Sequence, residues 1–208
     1  MGLTSLPHDS PYNLGLVGMH GPAAANMAVG RCDLLIAVGA RFSDRVAGNR
    51  LRFAENAAVI HIDIDRSEIS KNVTVDLSLV GDAGQCLERL LDIVHREADS
   101  DWLHEVLRNK AHNMLPDTGS EEYDVNPREV IRALHSIGGP DLLVATDVGQ
   151  HQMLTAQYYP FETPRTFLSS CGLGTMGYGM GAAVGAAIGN PGKPVVLVTG
   201  DGSFHMNM

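Results

Sequence analysis

The sequence predicts an α/β protein made of two units, each built on a parallel sheet. Three observations predict it. Short apolar runs alternate with segments of helical periodicity. The runs are followed by glycine or acidic residues, as expected at the ligand-binding edge of an open parallel sheet. A more polar stretch, Asp99 to Asp124, separates two such series.

The first series opens with an Ala-rich segment, Pro22 to Val29, whose leading proline suits a helix start. Cys32 to Ala40 (CDLLIAVGA) is an apolar run of strand length, continuous enough to be buried on both faces. Ala57 to Asp63 (AAVIHID) is a second strand and Leu77 to Val80 a third, which ends at Gly81-Asp82. Ala83 to Glu97 spaces Cys86, Leu87, Leu90, Leu91 and Val94 as one face of an amphipathic helix. These elements assign residues 1–98 to a first domain, with 99–124 as a linker that holds a helix over Trp102 to Met114 and a turn-rich loop over Leu115 to Ser120.

The second series, residues 125–208, begins with Asn126-Pro127, an N-cap followed by proline at the first helical position, and that helix runs to about Ile137. Gly138-Gly139-Pro140 ends it. Leu142 to Thr146 is a strand and Gly149 to Tyr159 a helix. Tyr178 to Ile188 is a helix flanked and crossed by Gly177, Gly181, Gly185 and Gly189, whose flat face is expected to meet another backbone, such as a second subunit. Pro194 to Thr199 is a buried strand with Gly200-Asp201-Gly202 at its carboxyl end.

Composition excludes several classes of function. Hydrophobic residues make up 44% of the chain and charged residues 19%, enough apolar material for a core and too little charge for disorder. The net charge of −9, with no basic cluster, argues against nucleic-acid binding. Thr166 to Asn190 carries no formal charge and is long enough to span a bilayer, but its seven glycines point to a buried loop and helix, so no membrane is expected. No signal peptide is visible. Cys32, Cys86 and Cys171 are odd in number and far apart, which reads as buried free thiols in a reducing compartment. Both ends read as cut: the start has no clear element, and the finish stops just after a strand and turn.

Three stretches of the second series could do chemistry. Gly200-Asp201-Gly202-Ser203 follows an apolar strand; glycines let backbone approach a phosphate and a carboxylate can hold the divalent cation that bridges to it. Taken alone, the triplet reads more readily as an ordinary surface turn. Asp147-Val148-Gly149-Gln150-His151-Gln152 follows the preceding strand, and Gln150 and His151 at a helix start can donate to an anion. Cys171 to Met180 (CGLGTMGYGM) leaves room for a flat ligand or a partner backbone.

In this order and spacing the three stretches resemble the thiamine-diphosphate-binding domain of the pyruvate-decarboxylase-like superfamily. Gly18-Met19-His20-Gly21, Gly39-Ala40-Arg41-Phe42-Ser43-Asp44-Arg45-Val46 and His61-Ile62-Asp63-Ile64-Asp65 are similar to the central domain of acetolactate synthases, whose biosynthetic branch wraps an FAD there. Those enzymes usually read Arg-Phe-Asp-Asp-Arg where this chain has Ser43. The resemblance implies two Rossmann-like parallel-sheet domains, both truncated: a central FAD-type domain and a thiamine-diphosphate-binding domain. It implies that Gly149, Gln150, His151, Gly174, Met176, Gly200, Gly202 and Ser203 bind thiamine diphosphate, with Gln150 and His151 on the diphosphate and Met176 against the aminopyrimidine. Asp201 would bind magnesium. Gly18, Met19, His20, Gly21, Gly39, Ala40, Arg41, Asp44, Arg45, Val46, Asp63, Ile64, Gly81 and Asp82 would meet FAD. Arg41 and Arg45 suit a diphosphate, and Asp63 suits ribose hydroxyls, although each is also compatible with a plain surface ion pair. His61, mid-strand, reads as a satisfied core residue.

The family's activating Glu belongs to a separate pyrimidine-binding domain and its paired metal-binding Asn to a position past Met208. No catalytic acid or base is therefore assigned in this chain, and Asn207 falls too early in the signature to serve as that Asn. The implied reaction joins pyruvate to a second 2-keto acid, pyruvate or 2-ketobutyrate, with loss of carbon dioxide, in the synthesis of isoleucine, valine and leucine. A homodimer or homotetramer and a small regulatory subunit are the implied partners, and the cytoplasm, or an organelle in a eukaryote, the location. Open beside this stand a sister enzyme (pyruvate oxidase, glyoxylate carboligase or sulfoacetaldehyde acetyltransferase) and a non-catalytic module that binds FAD or another nucleotide.

Overall fold

A computed structural model describes residues 2–94, 100–112 and 125–207. The expected loop Leu115 to Ser120 lies outside the described residues, as do the last residues of the expected helices ending at Glu97 and Met114. Contacts divide the chain into two units, Val17–Leu115 and Met1–Leu16 with Pro116–Met208. The first sixteen residues thus pack with the second series and not with the first, unlike the division at 98 read from the sequence.

In the Val17–Leu115 unit, β1 (Leu34–Val38), β2 (Ala58–Asp63) and β3 (Leu77–Val80) form a parallel sheet in the order β1-β2-β3. Leu34 pairs with Ala58 and Ile60 with Leu77. Helices α1 (Ala23–Arg31), α2 (Asp44–Ala47), α3 (Ala83–Leu91) and α4 (Asp101–His112) complete it. α3 starts where Asp82 caps Gln85 N–H at 3.0 Å. α1 and α4 pack together and share the Arg31–Glu105 ion pair. The core is small: Ala37, Phe42, Ala47, Val59 and Val73. The expectation that the first strand is buried on both faces is corrected, because Leu34, Ile36 and Val38 are exposed while Ala37 is buried. A continuous apolar strand needs cover on both faces, and among the described residues only one face has it.

In the other unit, β4 (Leu143–Thr146) lies between β5 (Phe167–Ser169) and β6 (Val195–Val198), all parallel. Helices α5 (Pro127–Gly138), α6 (Gln150–Tyr158), α7 (Tyr178–Gly189) and α8 (Asp201–His205) follow the chain. Asn126 caps α5 through Arg128 N–H, with Pro127 in its first turn, as the sequence predicts. Every residue of β4 is buried. Val196 and Val198 pack with Ile131, Val144, Tyr158, Tyr159 and Phe161 on the α5–α6 side. Leu197 faces α7, since a Cβ at Gly179 would lie 2.8 Å from its Cδ1. The amino-terminal segment is tied in by Leu3 on this core, by His8 N–H donating to Phe161 O at 2.9 Å, and by Arg165 N–H donating to Thr4 Oγ1 at 3.0 Å.

No described helix is long and apolar enough to cross a membrane. The three cysteines are free, as expected, but Cys171 is exposed and Cys32 and Cys86 half-buried, so burial does not hold for Cys171. Ser169 and Gln152 touch its sulfur without covering it.

Candidate functional site

The carboxyl ends of β4 and β6 open on a cleft of about 650 Å³, a size usual for small-molecule sites. Its walls bring together Gly149, Gln150, His151, Met176, Gly200, Asp201, Gly202 and Ser203 from three separate stretches of sequence. Val125, Val130, Ile131 and Leu154 make the rest largely apolar. Of the residues expected at this cofactor only Gly174 lies off the wall, two residues before Met176 on the same loop.

The geometry follows from close backbone approach. A Cβ at Gly149 would sit 2.9 Å from His151 Cε1, and one at Gly200 would sit 3.1 Å from His151 Nδ1. The imidazole is therefore wedged between two strand ends, and only glycine leaves it room. His151 Nε2 is buried without a hydrogen-bond partner. Burial pushes the imidazole below the ordinary histidine value, against the raising influence of Asp147. A buried ring nitrogen with no partner, lining a cleft at the amino end of α6, is a place that a ligand oxygen would satisfy. The chemistry of the donor set therefore fits a diphosphate.

Ser203, on the cleft wall, also has a partner within the protein. It is buried, and its hydroxyl donates to Val148 O at 2.8 Å, so it ties α8 to the β4–α6 loop. Asp201 is exposed at the first position of α8. No group of three or more His, Cys, Asp or Glu gathers among the described residues. A cation at Asp201 would thus take one protein carboxylate here and draw its other ligands from elsewhere, as a metal shared with phosphate oxygens does.

Two side chains that sequence reasoning did not assign support the cleft from behind. Asp147, 1% exposed, accepts from Val148 N–H (2.9 Å) and Gly177 N–H (2.8 Å) at Oδ1 and from Gly179 N–H (3.2 Å) at Oδ2. Asn207 Nδ2 donates to Gly177 O at 2.7 Å. Asp147 stood inside a recognised stretch; its partners, thirty residues on, leave no local signal.

In the other unit the carboxyl edge of β1, β2 and β3 gathers Gly39, Asp63 and Gly81, with Gly39 N–H donating to Ile62 O and Gly81 N–H to Asp63 O. The Gly18–Gly21 loop docks on the Arg45 strap: Met19 N–H donates to Arg45 O at 2.8 Å. A Cβ at Gly18 (φ +93°) would lie 2.3 Å from that same oxygen, so the approach requires glycine. Asn26 clamps the loop by accepting from Gly18 N–H at 2.7 Å and donating to Gly18 O at 2.9 Å. Phe42 anchors the strap. It is buried against Phe53 and His61 and held at φ +47°, a conformation rare for a large side chain. Arg41, Asp44, Arg45 and Val46 are exposed beside it, and neither Arg41 nor Arg45 has an ion-pair partner among the described residues. Met19 and Ile64 are exposed, and His20 and Ala40 half-buried.

One expectation changes here, and two acidic residues have local partners. His61 is in the core but not satisfied: both ring nitrogens lack a hydrogen bond, and the nearest Asp63 oxygen stands 3.7 Å away. Asp63 is buried, with Oδ1 accepting from Asp65 N–H at 2.8 Å, so one of its oxygens already serves the turn. Asp82 is the cap of α3.

Residues 1–90 match the family model described as the thiamine pyrophosphate enzyme central domain, and residues 147–208 the model described as the thiamine pyrophosphate enzyme C-terminal TPP binding domain. The chain thus belongs to the thiamine pyrophosphate enzymes. Within them it is homologous along its length to acetolactate synthase large subunits. It is 44% identical to the isozyme 3 large subunit of Escherichia coli, over 100% of this chain and 37% of that protein. It is 42% identical to the large subunit of Lactococcus lactis, over 99% of this chain and 36% of that protein. It is 45% identical to the chloroplastic acetolactate synthase 1 of rice, over 100% of this chain and 33% of that protein. The chain therefore spans little more than a third of the curated relatives it matches.

Proposed function

We propose that this chain is the cofactor-holding part of an acetolactate synthase large subunit, which condenses pyruvate with pyruvate or 2-ketobutyrate in branched-chain amino-acid synthesis. The observation that supports this best is the single cleft that collects Gln150, His151, Met176 and Asp201, in a chain homologous throughout to acetolactate synthases. Thiamine diphosphate, when bound, supplies the electron sink that lets a 2-keto acid lose carbon dioxide and join a second one.

The residues of this chain bind and orient. Gln150 and the α6 backbone would donate to the diphosphate, whose charge the helix dipole favours. His151 would give its unpartnered Nε2 to a phosphate oxygen. Asp201 would hold the magnesium ion, and Met176 would pack against the aminopyrimidine, with Gly174 offering backbone. In the other unit Arg41 and Arg45, without an ion-pair partner among the described residues, would pair with the diphosphate of FAD, and the Gly18–Gly21 loop would flank it. No acid or base for the reaction is assigned to this chain. A second subunit, a small regulatory subunit, and a cytoplasmic or organellar location belong to the same proposal.

The test is acetolactate formation from pyruvate with thiamine diphosphate, magnesium and FAD. It is run on this chain and on a chimera in which the chain replaces the matching segment of the E. coli isozyme 3 large subunit. Acetolactate from the chimera alone is the expected result. A folded chimera that binds thiamine diphosphate yet makes a different product from pyruvate would refute the acetolactate assignment.

A further inference from the structure

We infer that Asp147 and Asn207 are positioning residues that grip the Met176–Gly177 turn from two sides and so set where the pyrimidine end of thiamine diphosphate rests; this builds on the reading of the cleft given above. Gly177 is the pivot. Its N–H donates to Asp147 Oδ1 and its carbonyl accepts from Asn207 Nδ2. Gly177 has φ +91°, a left-handed conformation at the start of α7. The two side chains pin that residue on both its backbone polar groups.

The Asp147 carboxylate is fully buried yet satisfied by three backbone N–H groups, two of them at the amino end of the twelve-residue helix α7. Negative charge there is favoured by the helix dipole, and the N–H groups of a first helical turn need acceptors that the helix itself does not supply. Room for the grip is built in. A Cβ at Gly177 would lie 2.6 Å from Asn207 Nδ2, and one at Gly179 would lie 3.0 Å from Asp147 Cβ. Side chains at either glycine would push the clamp away.

Neither Asp147 nor Asn207 lines the cleft, whereas Met176, one residue before the pivot, does. The clamp therefore acts through Met176 and not on a ligand. Met176 also reaches the opposite wall, since a Cβ at Gly202 would lie 3.9 Å from its methyl carbon. Asn207 follows α8, the helix that begins with Asp201. It thus ties the loop that carries Met176 to the element that carries the metal-binding candidate. The phosphate-facing groups, Gln150 and His151, lie on α6, to which Asn207 makes no hydrogen bond.

This division predicts a ligand-selective effect. The full chain and its Asn207→Ala and Asp147→Asn variants are titrated calorimetrically with thiamine diphosphate plus magnesium, and separately with inorganic pyrophosphate plus magnesium. Pyrophosphate shares the phosphate groups and lacks the pyrimidine. Asn207→Ala removes one hydrogen bond and should weaken thiamine diphosphate by roughly three- to tenfold while pyrophosphate changes by less than about twofold. Asp147→Asn turns an amide N–H toward a backbone N–H and should weaken thiamine diphosphate further; because the Asp147 charge also acts on His151, the ligand selectivity is read on Asn207→Ala. Equal losses for both ligands would mean that the pair merely supports the cleft, and no loss for either would mean that the turn holds itself; each result overturns the inference. An unaltered chain that binds thiamine diphosphate no better than pyrophosphate would instead overturn the reading of the cleft, and this inference with it. Asn207 is exposed, so its variant carries the test if Asp147→Asn fails to fold.

Discussion

At the scale of single residues, the cleft is defined by polar groups whose partners are settled and by one whose partner is not. Ser203, Asp147 and Asn207 spend their hydrogen bonds within the protein, on Val148, on Gly177 and Gly179, and on Gly177. His151 keeps a buried nitrogen unpaired. That difference has a pH signature. Burial places the folded imidazole below the ordinary histidine value of 6.5, so the unfolded chain takes up a proton at a higher pH than the folded chain. Stability linked to His151 is thus fully present above that ordinary value. It is lost as pH falls through the lower, folded value, and acidification weakens the fold. A His151→Gln variant should therefore lose less melting temperature than the parent between about pH 7 and about pH 5. Parallel curves for the two proteins would show that His151 is not so buried. The site residues divide by how local their evidence is. Gln150, His151 and Asp201 could be named because each directly follows an apolar strand, and a ligand in a parallel sheet sits at that edge. Asp147 and Asn207 could not be assigned from the same stretches, because what gives them meaning is a peptide thirty residues away.

At the scale of elements, the strands were the most readable feature. β3 spans the residues expected from its apolar run, and β2, β4 and β6 differ from expectation by one residue or so at their ends. β4 is buried throughout while Leu77 and Val80 of β3 are exposed, so what made the strands readable is their short, nearly uninterrupted apolar runs and not burial on both faces. α2 and α8 are too short to carry a period, and β5 is three residues long beside a glycine-rich loop, so tertiary contacts and not pattern define them. The glycines of α7 looked alike in sequence and are not alike in structure. Gly179 is packed on Leu197 and Asp147, whereas Gly181, Gly185 and Gly189 face open space. The same substitution two residues apart should then have opposite effects on the isolated chain. Gly179→Ala overpacks a full contact and should cost about 1–3 kcal/mol. Gly181→Ala meets nothing and should stabilise by up to about 1 kcal/mol through helix propensity. Thermal or denaturant unfolding of both variants decides it, and equal changes would contradict the packing described for α7. The open face is also the one expected to meet a second subunit. Gly181→Leu, whose Cβ would meet nothing within 4 Å in this chain, should leave its folding intact while lowering dimer content on sizing of a full-length protein that carries it.

At the scale of the whole chain, sequence order and contact order disagree at the amino end. The family model for the central domain runs from residue 1 to 90, and the succession of strands and helices in the sequence draws a single first domain to residue 98. Contacts assign Met1–Leu16 to the unit that holds the cleft. The physical reason is visible in three ties. Leu3 packs against the Ile131–Phe161 core, buried Thr4 accepts from Arg165 N–H, and His8 N–H donates to Phe161 O. One half-buried leucine and two hydrogen bonds together contribute on the order of 2–4 kcal/mol. That is a sizeable share of the stability of one domain. Nothing local in residues 1–16 reveals such a role, because the segment holds one short 3₁₀ turn and otherwise follows the surface of a unit whose other residues come more than a hundred positions later. Deleting residues 2–16 should therefore loosen the unit to which they are distant in sequence and spare the one that follows them directly. Amide hydrogen exchange distinguishes the two. Protection should fall across β4, β5 and the Tyr159–Phe161 segment and stay unchanged across β1, β2 and β3. Loss of protection in β1 to β3 instead would return the segment to the central domain, where its position in the sequence places it.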